Sequence, residues 1–218
     1  FAESVTKKAT STDFMEIGST GLHVYDGQVR EEFLTALRGR TAYRTYREMR
    51  DNDPVIGAVI QAISMLMRSV EWQVEPSDPD NEKANDIAEF VGTCMTDMTT
   101  TWEDMLAQIM SYLTYGWAYF EIVYKYRKGW QDGGERSRYD DGMIGWRKLA
   151  PRSQDTLERW NLDDNGGVKG MYQLNPTSNK GLVEIPIEKS LLFRTSSALN
   201  NPEAVSYTHL RAHETVLD

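Results

Sequence analysis

The sequence is poor in the residues that most chemistry requires. It holds one cysteine, Cys94, so an internal disulfide is excluded. Cys94 falls on an expected helix among apolar neighbours, the place of a small buried hydrophobe rather than of a reactive thiol. Such cysteine usage fits a reducing compartment. No apolar run approaches bilayer length, so no transmembrane helix is expected. Basic charge is also short. With 33 acidic against 24 basic residues the net charge is −9, the opposite of what a protein gripping DNA by its phosphates needs. The one candidate basic patch is Arg38, Arg40, Arg44, Arg47 and Arg50. Glu48 and Asp51 dilute it, and a solvated helix face explains it.

Histidine is scarce too: His23, His209 and His213 are all there are. His209 and His213 are four apart with Glu214 beside them, a spacing that invites zinc. No third ligand follows, so no metal site is assigned. The stretch SYTHLRAHET is similar to the translation of a sequencing adapter, and residues 205–218 are expected to be a non-native tail. The start at Phe1 then suggests a piece of a longer gene. Without the tail only His23 remains, in a Ser/Thr/Gly-rich stretch (1–26) expected to be a flexible arm. A Ser-His-Asp or Cys-His catalytic set is thereby excluded.

What is present builds architecture. Asp51 or Asp53 can cap a helix that Pro54 opens. Val55, Ile56, Val59, Ile60, Ile63 and Met67 then recur at spacings of three and four, an apolar stripe expected to form core. The period changes to two at Val70, Trp72 and Val74, which reads as a strand ending at Pro76. Before this segment, residues 28–49 read as two short helices broken at Gly39. After it, Asp78, Asp80 and Glu82 lack the glycine and final glutamate of a calcium loop and serve as a helix start. Ala84, Ile87, Ala88, Val91 and Met95 give the next amphipathic helix. Thr99–Thr101 cap another, whose buried side is Trp102, Met105, Leu106, Ile109, Met110 and Leu113. Gly116 stops it.

The second half is strands. WAYFEIVYKYR alternates, and a glycine-rich loop follows that has no P-loop lysine and hydroxyl. Then come MIGWRKLAP, DTLERWNL, a DDNGG turn into VKGMYQLN, and two short strands around Pro186. Helices first and antiparallel strands after is an α+β order: amphipathic helices packed on a mainly antiparallel sheet, over residues 27–204. Glu121 with Asp140 or Asp141 is the one carboxylate set open to an enzymatic reading. It needs two acids held across a pocket, and the aspartates lie in a loop.

In order, YRTYREMRDNDPVIGAVIQAI, VEWQVEP, NEKANDIAEFVGTCM, WEDMLAQIMSYLTYGWAYFEIVY, WRKLAPRSQDTLERWNLDDNGGVKGMYQ and IPIEKSLLFRTSSALNNPEA resemble the portal proteins of tailed phages, in the Mu-like branch, from about Tyr43 to Pro202. The resemblance implies a piece of the peripheral wing of a ring, typically a dodecamer, at one capsid vertex. DNA would pass through the ring without specific binding. Implied partners are further copies of the chain, the terminase large subunit, capsid or scaffold proteins and head-completion proteins. The implied location is the virion, after assembly in the host cytoplasm. It implies no cofactor, no metal and no catalysis. Trp102, Tyr112, Tyr115 and Trp117 are expected to pack the wing and in part to reach a neighbouring subunit. Alternatives are another oligomeric scaffold domain without catalysis, the Glu121-based enzyme, and a DNA-binding module.

Overall fold

The computed structural model describes residues 19–32, 34–130, 136–175 and 181–203. Val24–Tyr25 (β1), in the stretch expected as an arm, and Gln28–Val29 (β2), just after it, form a two-stranded ribbon. Asp26 and Gly27 turn it with positive φ, and the Gly27 carbonyl accepts the Trp160 N–H at 2.8 Å. A side chain at Gly27 would lie 2.3 Å from the Trp160 carbonyl, so glycine is needed where the ribbon meets the sheet.

Residues 28–38 are not the first of two helices. The ribbon takes Gln28 and Val29, and among the described residues a single 3-10 turn, Thr35–Leu37, is the only helical piece before Gly39. Helix α1 then runs Gly39–Asn52 and α2 runs Pro54–Ser69. Asp53 is the cap between them: its Oδ1 accepts the N–H groups of Val55 (2.8 Å) and Ile56 (3.2 Å), and Pro54 takes the first position, where no donor is missed.

The expected strand at 70–76 is a correction. Val70 is extended, but the segment has no ladder partner among the described residues. Alternation alone makes no strand without an edge to pair with. The Trp72 ring instead meets Trp102 edge-on at 6.4 Å.

Helix α3 (Glu82–Thr96) starts on Asn81, whose side chain accepts from Lys83 N–H. Helix α4 (Trp102–Ile109) starts on Thr101, whose hydroxyl accepts from Asp104 N–H at 3.1 Å. A short α5 (Ser111–Tyr115) ends at Gly116, which adopts φ 84°, the left-handed stop expected there. The strands β3 (Trp117–Tyr126), β4 (Ile144–Arg152), β5 (Leu157–Leu162), β6 (Val168–Leu174), β7 (Leu182–Pro186) and β8 (Ser190–Arg194) follow. They form two antiparallel three-stranded sheets, ordered β4-β3-β8 and β5-β6-β7. The fold is mixed α+β.

Strand β3 is the centre because both its faces are covered. Ala118 and Phe120 join Leu149 and the buried faces of α4 and α5: Met105, Leu106, Ile109, Met110 and Leu113. The alternate residues Trp117 and Tyr119 join Trp160, Met171 and Ile185 of the other sheet. A bulge between Val123 and Tyr124 shifts the β3–β4 register towards the hairpin end. There Lys125, nominally a polar position, is buried. Its ammonium pairs with Asp97 at 3.0 Å and donates to the carbonyls of Asp97 and Arg136.

Helix α2, expected to be core, contains no buried residue. Ile56, Ile60 and Met67 are half-buried, and Met67 reaches the α4–α5 cluster. Val55, Val59, Ile63, Leu66 and Val70 are exposed.

Candidate functional site

Tyr115 and Trp117 flank the Gly116 turn, so one faces α1 and the other the second sheet. Tyr115 stacks on Tyr43 at 4.6 Å and its hydroxyl accepts from Arg50 at 3.4 Å. Burial, with Tyr43 adding to it and Arg50 opposing, pushes the Tyr115 phenol up to about 12. Trp117 is 4% exposed and meets the Trp160 ring edge-on at 5.0 Å. Trp102 and Tyr112 are half-buried against the α4–α5 cluster. The Trp102 indole N–H finds no acceptor among the described residues.

Tyr115 and Trp117 also line a groove of about 830 Å³ between α1, β5 and the segment after β2. Sequence reasoning missed this groove, because residues far apart in the chain enclose it. Its acids are all engaged. Glu31 and Glu32 accept backbone N–H groups of His23 and Leu34, Glu158 pairs with Arg40 at 3.1 Å, and Glu203 accepts the Trp160 indole N–H at 2.9 Å. Part of Glu203 reaches solvent, yet its carboxyl is tucked against Trp160. Burial pushes that carboxyl up to about 7, against the opposing pull of the indole hydrogen bond. The Tyr46 phenol in the same groove is raised further by burial and by Glu32 and Glu203.

The carboxylates open to an enzymatic reading do not converge. Glu121 is ion-paired with Arg152 across the β3–β4 ladder. Asp141 pairs with Arg127 at 2.9 Å, just past the far end of β3. That is about 20 Å along the strand from Glu121 at ordinary strand rise. The Asp140 side chain lies against Gly129 at the same end. Arg127 is itself held between the Phe90 and Tyr139 rings, 4.9 and 4.1 Å from their centroids. Beside it, burial pushes the Asp97 carboxyl up, but hydrogen bonds from Arg138 N–H, Ser137 and Lys125, with the Lys125 charge, outweigh this and hold it below the ordinary carboxylate range. These groups fasten the hairpin end to α3.

The other candidate features resolve into local structure. Asp78 accepts the Asp80 N–H ahead of α3, a turn rather than an ion cage. Among the described residues no group of three or more His, Cys, Asp or Glu can hold a metal ion. The His209, His213 and Glu214 set lies outside the described residues. The arginines of α1 are matched by acids: Arg40 with Glu158, Arg44 with Glu48, Arg47 and Arg50 with Asp51. Arg38 donates to the Glu32 carbonyl. Such pairs leave little free charge for phosphates. Cys94 is buried at 2% exposure.

The geometry is that of a packing module: covered aromatics, paired charges and a large uncovered apolar helix. The family comparison gives the same class. A family model described as the portal protein of Mu bacteriophage matches residues 43–207, more than half of the chain, and the chain belongs to that family. That family is structural rather than catalytic. The matched span covers the stretch in which the resemblance was seen and ends inside residues 205–218. No curated protein matches the chain.

Proposed function

We propose that this chain is wing material of a portal subunit. Further copies assemble head-to-tail into a ring at one capsid vertex, and double-stranded DNA passes through the ring during packaging and ejection. The family match over residues 43–207 is the observation behind this proposal. The acidic balance supports passage without tight phosphate binding. Terminase, capsid and head-completion proteins would dock on the assembled ring, and the virion would be its final location after assembly in the host cytoplasm. Of the four aromatics, Tyr115 and Trp117 serve internal packing, while Trp102 and Tyr112 keep surface that a neighbouring subunit can cover. Sedimentation and electron microscopy of the purified chain test this. The expected result is a concentration-dependent assembly with annular particles. A monomer at every soluble concentration overturns self-assembly. Tight, salt-dependent binding of duplex DNA by that monomer would point to a nucleic-acid module instead.

A further inference from the structure

The second sheet ends at β5, an edge strand whose Leu157, Trp160 and Leu162 pack in the cluster around Met171. An edge strand carries backbone groups that its own sheet does not pair, and another chain can add to them. At two other edges the protection is local. On β4 the Arg147 carbonyl accepts from the Thr99 N–H at 2.8 Å and its hydroxyl at 3.1 Å. On β7 Pro186 offers no N–H. Strand β5 is covered by a segment more than a hundred residues earlier in the chain. Register shifts against β6 leave Arg159, Trp160 and Asn161 as its regular part, and the β1–β2 ribbon sits there. The Trp160 N–H donates to the Gly27 carbonyl at 2.8 Å, the Trp160 carbonyl also faces Gly27, and Arg159 pairs with Asp26 at 2.9 Å.

The ribbon is a unit of its own, lightly attached. Besides the β1–β2 ladder, Arg30 N–H donates to the His23 carbonyl at 2.8 Å and His23 N–H to Glu31 at 2.6 Å. The Asp26–Arg159 pair that ties it down has side chains 73% and 38% exposed, so water screens it. Val29 adds contact with the second-sheet cluster, whereas Val24 and Tyr25 face solvent. Two-residue strands are not stable alone, so such a ribbon is drawn from the end of the fold that opens most readily. Alongside it, the groove lined by Leu157, Glu158 and Arg159 leaves room next to the β5 edge.

We propose that the β1–β2 ribbon is a releasable strap: docked, it guards the β5 edge, and lifted, it lets that edge pair with β5 of a second copy of this chain. The Trp160 N–H and carbonyl given up by Gly27 then meet those of the same residue in the second copy. Two identical edges meeting antiparallel make an isologous contact, which closes as a dimer. The ring contact proposed above is head-to-tail and needs no release of the ribbon, so the two succeed or fail separately.

The test lifts the strap in the full chain with Asp26→Lys and Gly27→Val together. The lysine repels Arg159, and the valine side chain meets the Trp160 carbonyl. Hydrogen exchange and sedimentation are then followed against concentration. In dilute variant the Trp160 amide exchanges at least tenfold faster than in the parent. At higher concentration a dimer absent from the parent forms, and the protection of that amide returns. A Trp160 amide as slow in dilute variant as in the parent overturns the strap. Fast exchange with no dimer, or a dimer that leaves the amide fast, overturns the pairing. A parent that dimerises as strongly as the variant overturns the guarding role. A variant whose circular dichroism shows the fold lost overturns the inference too, because the ribbon is then part of the core.

Discussion

Helices α2 and α4 are both apolar, yet they have opposite fates. Sixteen-residue α2 buries nothing fully, whereas eight-residue α4 buries Met105, Leu106 and Ile109. What separates them is position. Helix α4 lies against Phe120 and Leu149 of the central sheet, while α2 lies outside α4 and α1. An apolar stripe therefore reports that a surface needs cover, not what covers it. In a subunit that assembles as proposed, another molecule would supply some of that cover.

The largest effects should fall where cover is internal. Trp117→Ala removes a ring packed on Trp160 and Tyr119's cluster and should cost about 3–5 kcal/mol in thermal or denaturant unfolding. A loss below about 1 kcal/mol would show that the second sheet is not firmly docked on β3. Asp97→Ala should cost a similar, slightly smaller amount, about 3 kcal/mol, because it strands the Lys125 ammonium, 1% exposed, without a counter-charge. The same site gives an acid limb. The Asp97 carboxyl is held low when folded, so its stabilisation is present above its unfolded value and lost as pH falls through its folded one. Unfolding midpoints measured against pH should show that limb in the parent and not in Asp97→Asn.

Glu203 should behave in the reverse sense. Its folded carboxyl titrates at about 7 against an ordinary 4.5, so the folded state holds the proton more tightly. Its contribution is complete below the unfolded value and declines as pH rises through about 7. Glu203→Gln should flatten stability across that window, with the gap over the parent widening towards alkaline pH. An unchanged pH profile would show that the carboxyl is solvated.

How much of this was legible follows the same division. Local chemistry could be read directly: Asp53 and Pro54 opening α2, Thr101 opening α4, Gly116 closing α5, and the Asp163–Gly167 turn, where Asp163 accepts the Gly167 N–H. Each depends on neighbours in sequence. What could not be read depends on partners far away. The VEWQVEP segment alternates like a strand but meets no edge among the described residues. Gln28 and Val29 pair with β1 instead of entering a helix. Lys125 sits at a polar position of an alternating strand and is buried because Asp97, 28 residues earlier, is there to receive it. The groove around Tyr115, Trp117 and Glu203 is assembled from three separate stretches, within 28–46, 115–159 and 201–203. Periodicity finds elements, and only tertiary neighbours decide which of their faces stay open.

The smallest expected effect is the most discriminating. Val59 is 52% exposed in the middle of the α2 stripe. Val59→Lys replaces a β-branched residue by a better helix former, a gain of a few tenths of a kcal/mol, and surrenders a modest amount of partly exposed apolar contact. The two should leave the stability of the isolated fold within about 0.5 kcal/mol of the parent, as for surface changes generally. A core position of the same residue type could not accept an ammonium without several kcal/mol of loss. Chemical denaturation at a concentration low enough to keep the chain monomeric measures this. A large loss would place α2 in the fold's own core and erase its contrast with α4. No loss leaves the stripe as surface, whose apolar character then answers to something outside the monomer.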